Sequence, residues 1–207
     1  MTWTATERYE LQPAPDTLGF VHNLLNTRSA GRPRKPDLLA ELQLAQEWLD
    51  DALEAWSAHT GMRLPQVQLD ETDLEPLRNF RTDIHVAVMR HADDDDTEPE
   101  QTPSNTAVVP LIHSFAVAAQ LDTDGNVSLA PRGTGWRQIA ALTLIAIEHG
   151  QGAGTWHRLK VCRNPRCQGA FYDRSRNNSG VWDSVKLCGN QANLRAYRAR
   201  KRAGDSK

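Results

Sequence analysis

Lys160 to Asn190 reads KVCRNPRCQGAFYDRSRNNSGVWDSVKLCGN and holds all three cysteines of the chain, Cys162, Cys167 and Cys188. Four residues separate Cys162 from Cys167, and four separate Asp183 from Cys188. Two equally spaced pairs around a segment of hairpin character are the layout of a small module nucleated by one tetrahedral ion. Donors on a knuckle and at the start of a helix can meet at one point. Zinc accepts carboxylate oxygen as well as thiolate sulfur, so Asp183 is expected as the fourth ligand beside the three cysteines. His157, five residues before Cys162, is the alternative. Four protein ligands leave no open coordination position, and closed sites are structural. Three reduced thiols without metal are the competing reading.

The residues between these donors are distinctive. Val161-Cys162-Arg163-Asn164-Pro165-Arg166-Cys167, then Phe171-Tyr172-Asp173-Arg174-Ser175-Arg176-Asn177, then Trp182 and Cys188-Gly189-Asn190 resemble the CGNR zinc finger over residues 158 to 202. The chain departs from that pattern at Asp183, where the family has cysteine, and at Gln191, where it has arginine. Asp173, Ser175 and Asn177 are residue types that accept backbone hydrogen bonds in tight turns, so they are expected to shape the hairpin end.

Charge is distributed unevenly. Residues 150 to 207 carry 13 basic and 3 acidic side chains, net +10, whereas the preceding 149 residues carry 11 and 23, net −12. Such polarity points to a polyanionic partner for the basic end, or to neutralisation of one end by the other within the fold or across a dimer. Beyond Cys188 a cationic helix is expected over Gly189 to Arg202. Arg195, Arg198 and Arg202 share one face at i, i+3 and i+7 spacing, Arg200 and Lys201 add charge, and Leu194 and Tyr197 form a neighbouring stripe. Arg174 and Arg176 add cations from the hairpin side, so these seven basic residues are the expected DNA contacts.

No run of 18 apolar residues occurs, and the first ten residues, MTWTATERYE, lack a basic region followed by an apolar one. The expectation is a cytoplasmic protein with no membrane partner. An odd number of cysteines fits a reducing compartment and metal ligation better than a disulfide framework.

Upstream, the first ten residues read as loosely held. Leu18 to Thr27 and Leu38 to His59 show helical apolar stripes, the second with Asp37 as N-cap and Gly61 as stop. A third helix is expected from Thr72 or Asp73 to His91, a solvated loop from Asp93 to Ser104, and a short helix from Asn105 to His113. Phe115 to Leu121 and Asn126 to Ala130 flank Asp122-Thr123-Asp124-Gly125 as a hairpin. The segment after Gly133 is apolar on almost every side and belongs in a core. Gly150, Gly152 and Gly154 read as a flexible bridge.

The expected fold is α+β. A mainly helical N-terminal domain of residues 1–150 with one β-hairpin precedes a small zinc-finger module of residues 156–203, made of knuckle, hairpin and basic helix. Leu18 to Thr27 with Asp37 to Leu49, including the Asn26-Thr27 and Trp48-Leu49 pairs, resembles the ABATE domain that accompanies CGNR fingers. That resemblance implies a bacterial stress-induced transcription regulator, which contacts DNA through the finger and senses a small-molecule effector or forms a homodimer through the N-terminal domain. No G-x-S-x-G elbow, phosphate-cradling glycine loop or H-E-x-x-H helix is present, and no enzyme activity is expected. Two alternatives remain: a protein-interaction module whose finger is a structural clip and whose basic helix docks an acidic partner, or an RNA-binding or small-molecule-processing protein.

Overall fold

The computed structural model describes residues 2–31, 33–62, 64–91 and 113–190, together with Leu194 and Lys201. In chain order these form helices α1 (Thr4–Glu7), α2 (Leu18–Leu25), α3 (Leu42–Thr60) and α4 (Glu71–Arg90), then strands β1 (Val117–Leu121) and β2 (Val127–Pro131). Helix α5 (Trp136–Gly152) follows, and strands β3 (Leu159–Val161) and β4 (Ala170–Tyr172) lie near the C-terminus. Each pair of strands is an antiparallel hairpin, so the fold is α+β as the sequence predicts. No helix among the described residues is long and apolar enough to cross a membrane.

Helix α2 is the centre of the packing. Every residue of LGFVHNLL is buried, and α1, α3, α4, α5 and β4 all contact it. A helix enclosed on all sides must find partners for its polar side chains, since an unpaired buried group costs about 1–3 kcal/mol. Asn23 Oδ1 accepts from the Thr6 N–H at 3.2 Å. His22 Nδ1 accepts from the Ala14 N–H at 3.1 Å, which leaves Nε2–H to donate to the Ala170 carbonyl at 3.0 Å. Asn26 accepts from the Ala170 N–H and donates to the Ala170 carbonyl, both at 3.0 Å. The outer edge of β4 is thereby satisfied by side chains of α2 and its C-cap.

Burial holds the His22 imidazole down at about 4; the Ala170 carbonyl favours the charged form, and Arg174 opposes it by repulsion. The unfolded chain takes up this proton near pH 6.5. Below that pH the unfolded state binds more protons, so stability is lost as pH falls from about 6.5 to about 4, by about 3 kcal/mol from this residue. Urea midpoints measured between pH 7 and pH 4.5 should fall in the wild type and fall less in His22→Gln. Equal slopes in the two proteins would contradict this assignment.

Residues 2–10 are not loosely held, contrary to the sequence expectation. Trp3 is 2% exposed and meets Phe20 edge-on, with ring centroids 6.2 Å apart. A Cβ at Gly19 would stand 2.3 Å from the Trp3 indole nitrogen, so only glycine lets the ring lie against α2. One large side chain in a polar stretch leaves no periodic signal, which is why this contact is hidden in the sequence.

Helix α3 begins at Leu42 rather than beside Asp37. Asp37 accepts from the Leu39 N–H at 2.9 Å and takes a two-point contact from Arg81 at 2.8 and 2.7 Å. Arg81 stands on the buried stripe of α4 with Leu74, Leu77, Phe80, Ile84, His85 and Val88. A buried guanidinium needs a carboxylate, and Asp37 supplies it. Burial pushes the Asp37 carboxyl up, but the Arg81 fork outweighs this and holds it below the ordinary range. Helix α4 starts at Glu71 through a capping box in which Asp70 and Asp73 accept from each other's turn.

The glycine-rich stretch is folded. Helix α5 runs through a buried Gly150 to Gly152, and the chain then turns into β3, which packs on α4. Leu159, Val161 and Ala170 join the core that contains Trp3, Phe20, Trp48 and Phe80. The expected loop over 93–104 and the short helix over 105–113 lie outside the described residues, His113 excepted.

Candidate metal centre

Strands β3 and β4 are joined by the knuckle that carries Cys162 and Cys167. The Cys162 N–H donates to the Gly169 carbonyl at 2.9 Å, and the Cys167 N–H donates to the Asn164 carbonyl at 2.8 Å. A single wide helical turn, Val185–Gly189, brings in Cys188, with the Ser184 hydroxyl accepting the Leu187 N–H at 3.2 Å as its cap. Asp183 sits just before this turn. Its Oδ1 accepts the Ser184 N–H at 2.7 Å, which aims Oδ2 at the Cys167 sulfur, 2.9 Å away.

The donor atoms of Cys162, Cys167, Asp183 and Cys188 all lie within 4.8 Å of one another. A tetrahedral zinc with sulfur ligands at about 2.3 Å has edges of about 3.8 Å, so the widest donor pairs need to draw in, and the Cys167–Asp183 pair at 2.9 Å to open, by less than about 1 Å. His157, the alternative ligand, is not in this cluster. The three cysteines are 2%, 0% and 1% exposed.

Electrostatics identify what the cluster is built to hold. The Cys162 thiol is pushed up because it donates its proton to Cys167 and is buried; backbone N–H groups of Asp183 and Asn164 aimed at its sulfur oppose this. Cys167 moves down as the acceptor of that proton. Burial pushes Cys188 up to about 12, with the Asn164 side chain working the other way and Asp183 adding to the rise. Amide donors directed at buried sulfurs stabilise thiolates, yet three thiolates and a carboxylate cannot share so small a space without a cation. Borderline-soft sulfur in a closed four-donor set selects zinc over magnesium or calcium.

Residues 158–201 match the CGNR zinc finger. No curated protein matches the chain. The finger's own core is smaller than its apolar residues suggest. Phe171 and Trp182 pack on the cysteines together with Leu11 from the N-terminal segment. Val161 and Tyr172 serve the main core instead, and Val185 and Leu187 are 68% and 53% exposed. Leu11 has no local signal that could have marked it.

Asp173 has the structural role its residue type implies. It accepts from the Ser175 N–H at 2.8 Å and the Gly180 N–H at 2.6 Å, closing the turn after β4. It also pairs with Lys160 Nζ at 3.0 Å, both side chains being 3% exposed. Burial pushes this carboxyl up, and the hydrogen bonds from Ser175, Lys160 and Gly180 together hold it below its ordinary value. Lys160, in a strand buried on all three residues, was not singled out by the sequence pattern.

Among the residues expected to contact DNA, Arg174 donates to the Pro13 carbonyl at 2.6 Å and lies over the Tyr172 ring at 5.2 Å, while Arg176 is exposed. Lys201 is exposed on a helical residue. Arg195, Arg198, Arg200 and Arg202 lie outside the described residues. As a class, a zinc finger of this kind is a nucleic-acid-binding or a structural zinc module.

Proposed function

We propose that the protein is a cytoplasmic bacterial transcription regulator that binds DNA through the C-terminal finger and is not an enzyme. Zinc held by Cys162, Cys167, Asp183 and Cys188 has a structural part: it fixes the knuckle and the turn from which the cationic segment leaves. The single observation that carries this reading is the closed Cys3Asp cluster at the foot of a segment bearing Arg195, Arg198, Arg200, Lys201 and Arg202. Arg174 and Arg176 approach from the hairpin side. The residues from 1 to 150 act as an ABATE-like domain that senses a small-molecule effector or forms a homodimer, and residues 156–203 as the finger.

Full-length protein should bind duplex DNA with an affinity that falls steeply with salt, since phosphate contacts release counterions. Filter retention measured over a salt series checks this; absence of salt-sensitive binding at low ionic strength would refute it. The second reading, a finger that serves as a structural clip with its basic helix docked on an acidic partner, draws support from the insertion of Leu159, Val161 and Ala170 into the main core.

The carboxylate corner has its own consequence. Asp183→Cys should bind zinc more tightly, because thiolate is the better zinc donor. Competition against a chromophoric chelator should show an affinity at least about tenfold higher, given the 10–100-fold losses that ligand-shell changes produce. Equal affinities would mean that residue 183 does not touch the metal.

A further inference from the structure

The basic loop after α2, residues 28 to 35, lies outside the finger in sequence and against it in space. The Gly31 N–H donates to the Cys167 carbonyl at 3.3 Å, and Arg28 Nη2 reaches Gln168 Oε1 at 3.5 Å. Gly31, Pro33 and Lys35 line a cleft together with Asp183, Ser184, Leu187 and Cys188. The loop therefore touches the knuckle and shares a cleft with the turn from which the C-terminal basic segment departs.

Its backbone is fixed from beneath. The Arg8 guanidinium donates to the carbonyls of Asn26, Thr27 and Arg28 at 2.7, 3.1 and 2.9 Å, and to that of Pro36 at 2.9 Å. The Tyr9 hydroxyl donates to the Arg28 carbonyl at 2.8 Å and accepts from the Ala30 N–H at 3.2 Å. Gly31 has φ +78°, and a Cβ there would stand 2.5 Å from the Tyr9 ring. Surface loops are ordinarily mobile. This one is clamped through its carbonyls by a half-buried arginine and tyrosine.

The clamped loop presents positive charge outside the ion pairs of the described residues. Among the described residues no ion pair involves Arg28, Arg34, Lys35 or, on the adjoining knuckle, Arg166. Asp37, at the end of the loop, has both oxygens taken by Arg81. Arg28 is half-buried near the like charges of Arg81 and Arg34, which Asp37 offsets in part, and it faces a His85 that burial keeps neutral. Glu10 and Asp183 are the acidic side chains on the shared cleft. Pre-ordered cations outside the ion pairs of the described residues, Arg34, Lys35 and Arg166, suit the phosphate oxygens of a partner.

We propose that loop 28–35 is a second phosphate-contacting element, and that Arg34 and Lys35 form with Arg166 one nucleic-acid surface running from the N-terminal part onto the finger. This rests on the DNA-binding reading above, and it adds that the finger does not supply the whole surface.

The test is a salt series for the full-length, zinc-loaded chain on a labelled duplex of roughly 30 base pairs of arbitrary sequence. Each phosphate contact contributes about 0.9 to the slope of log affinity against log salt, so Arg34→Ala/Lys35→Ala should lower the slope by about 2. Adding Arg166→Ala should bring the loss to about 3. With an unchanged intercept at 1 M, the double variant binds about 60-fold more weakly at 0.1 M salt. Arg34 is exposed and Lys35 half-exposed, so zinc content and melting temperature should stay as in the wild type. Arg34→Gln/Lys35→Gln, which keeps part of each stem, should give the same slope. As a control for net charge, Arg132→Ala/Arg137→Ala removes two cations at the start of α5, about 20 Å along that helix from the finger. An unchanged slope in the loop variants while the wild type binds overturns the inference and leaves the DNA reading standing, as does an equal loss in the control. No salt-dependent binding by the wild type overturns both.

Discussion

Cys167→Ser should bind no zinc and should melt well below the wild type across its whole fold. Cys167 is fully buried, touches Asp183 Oδ2 at 2.9 Å, and carries the carbonyl that receives the Gly31 N–H. A serine hydroxyl is not a useful zinc ligand, and zinc in small modules supplies about 10–16 kcal/mol of binding free energy at neutral pH. Its loss leaves two buried thiols and a carboxylate crowded together, with Phe171, Trp182 and Leu11 as the apolar side chains packed on them among the described residues. The damage spreads because Leu159, Val161 and Ala170 of the finger hairpin belong to the main core. Loosening three such side chains costs on the order of 3–5 kcal/mol, which corresponds to a melting temperature lower by about 6–20 °C in a chain of this size. Elemental analysis should find about one zinc per wild-type chain and none in the variant. Treating the wild type with a strong chelator should reproduce most of the thermal shift. A zinc-bound Cys167→Ser protein, or a chelated wild type with unaltered melting, would remove the metal from the structure's support.

Trp3→Ala should cost about 3–5 kcal/mol, the usual range for emptying a buried indole site, and lower the melting temperature by about 6–20 °C. The ring lies against Phe20 and, at 5.5 Å between centroids, against His59, so its removal opens a cavity between α1, α2 and α3. A second substitution sharpens the expectation. Gly19→Ala alone should destabilise, since its methyl would stand 2.3 Å from the indole nitrogen. In the Trp3→Ala background the same methyl enters vacated space and the helix gains about 1 kcal/mol from replacing glycine by alanine. The effect of Gly19→Ala should therefore reverse in sign between the two backgrounds, as read from urea midpoints. A loosely held N-terminus would give neither the loss nor the reversal.

The metal cluster was legible because its donors occur in two short, equal spacings, and local geometry then limits where they can meet. The stripes of α3 and α4 were legible for a similar reason: apolar residues recur at helical intervals in chain-local windows. What stayed hidden depends on distant partners. Asp37 has the residue type of an N-cap, but Arg81, 44 positions on, takes it instead. Asn26 reads as an ordinary helix-end residue, yet it pairs with the backbone of Ala170 across 144 positions. Lys160 and Arg81 are cations by composition and interior residues in the fold, each made tolerable by one aspartate that no periodicity marks. Arg8, which clamps a loop through four carbonyls, sits in a decapeptide too polar to suggest order.

The pairing of Asn26 and His22 with Ala170 also sets a timetable for synthesis. Translation proceeds at about 5–20 residues per second, so the partner of Asn26, 144 positions later, is made roughly 7 to 30 s after it. Through that interval the central helix has left the ribosome with the His22 Nε2–H and the Asn26 amide still waiting for Ala170, and with Leu159, Val161 and Ala170 still missing from its surroundings. The nascent N-terminal part thus waits, incompletely enclosed, for residues 159 to 170 of its own chain, and the cysteine cluster becomes able to capture a zinc ion only after these, once Asp183 and Cys188 have followed.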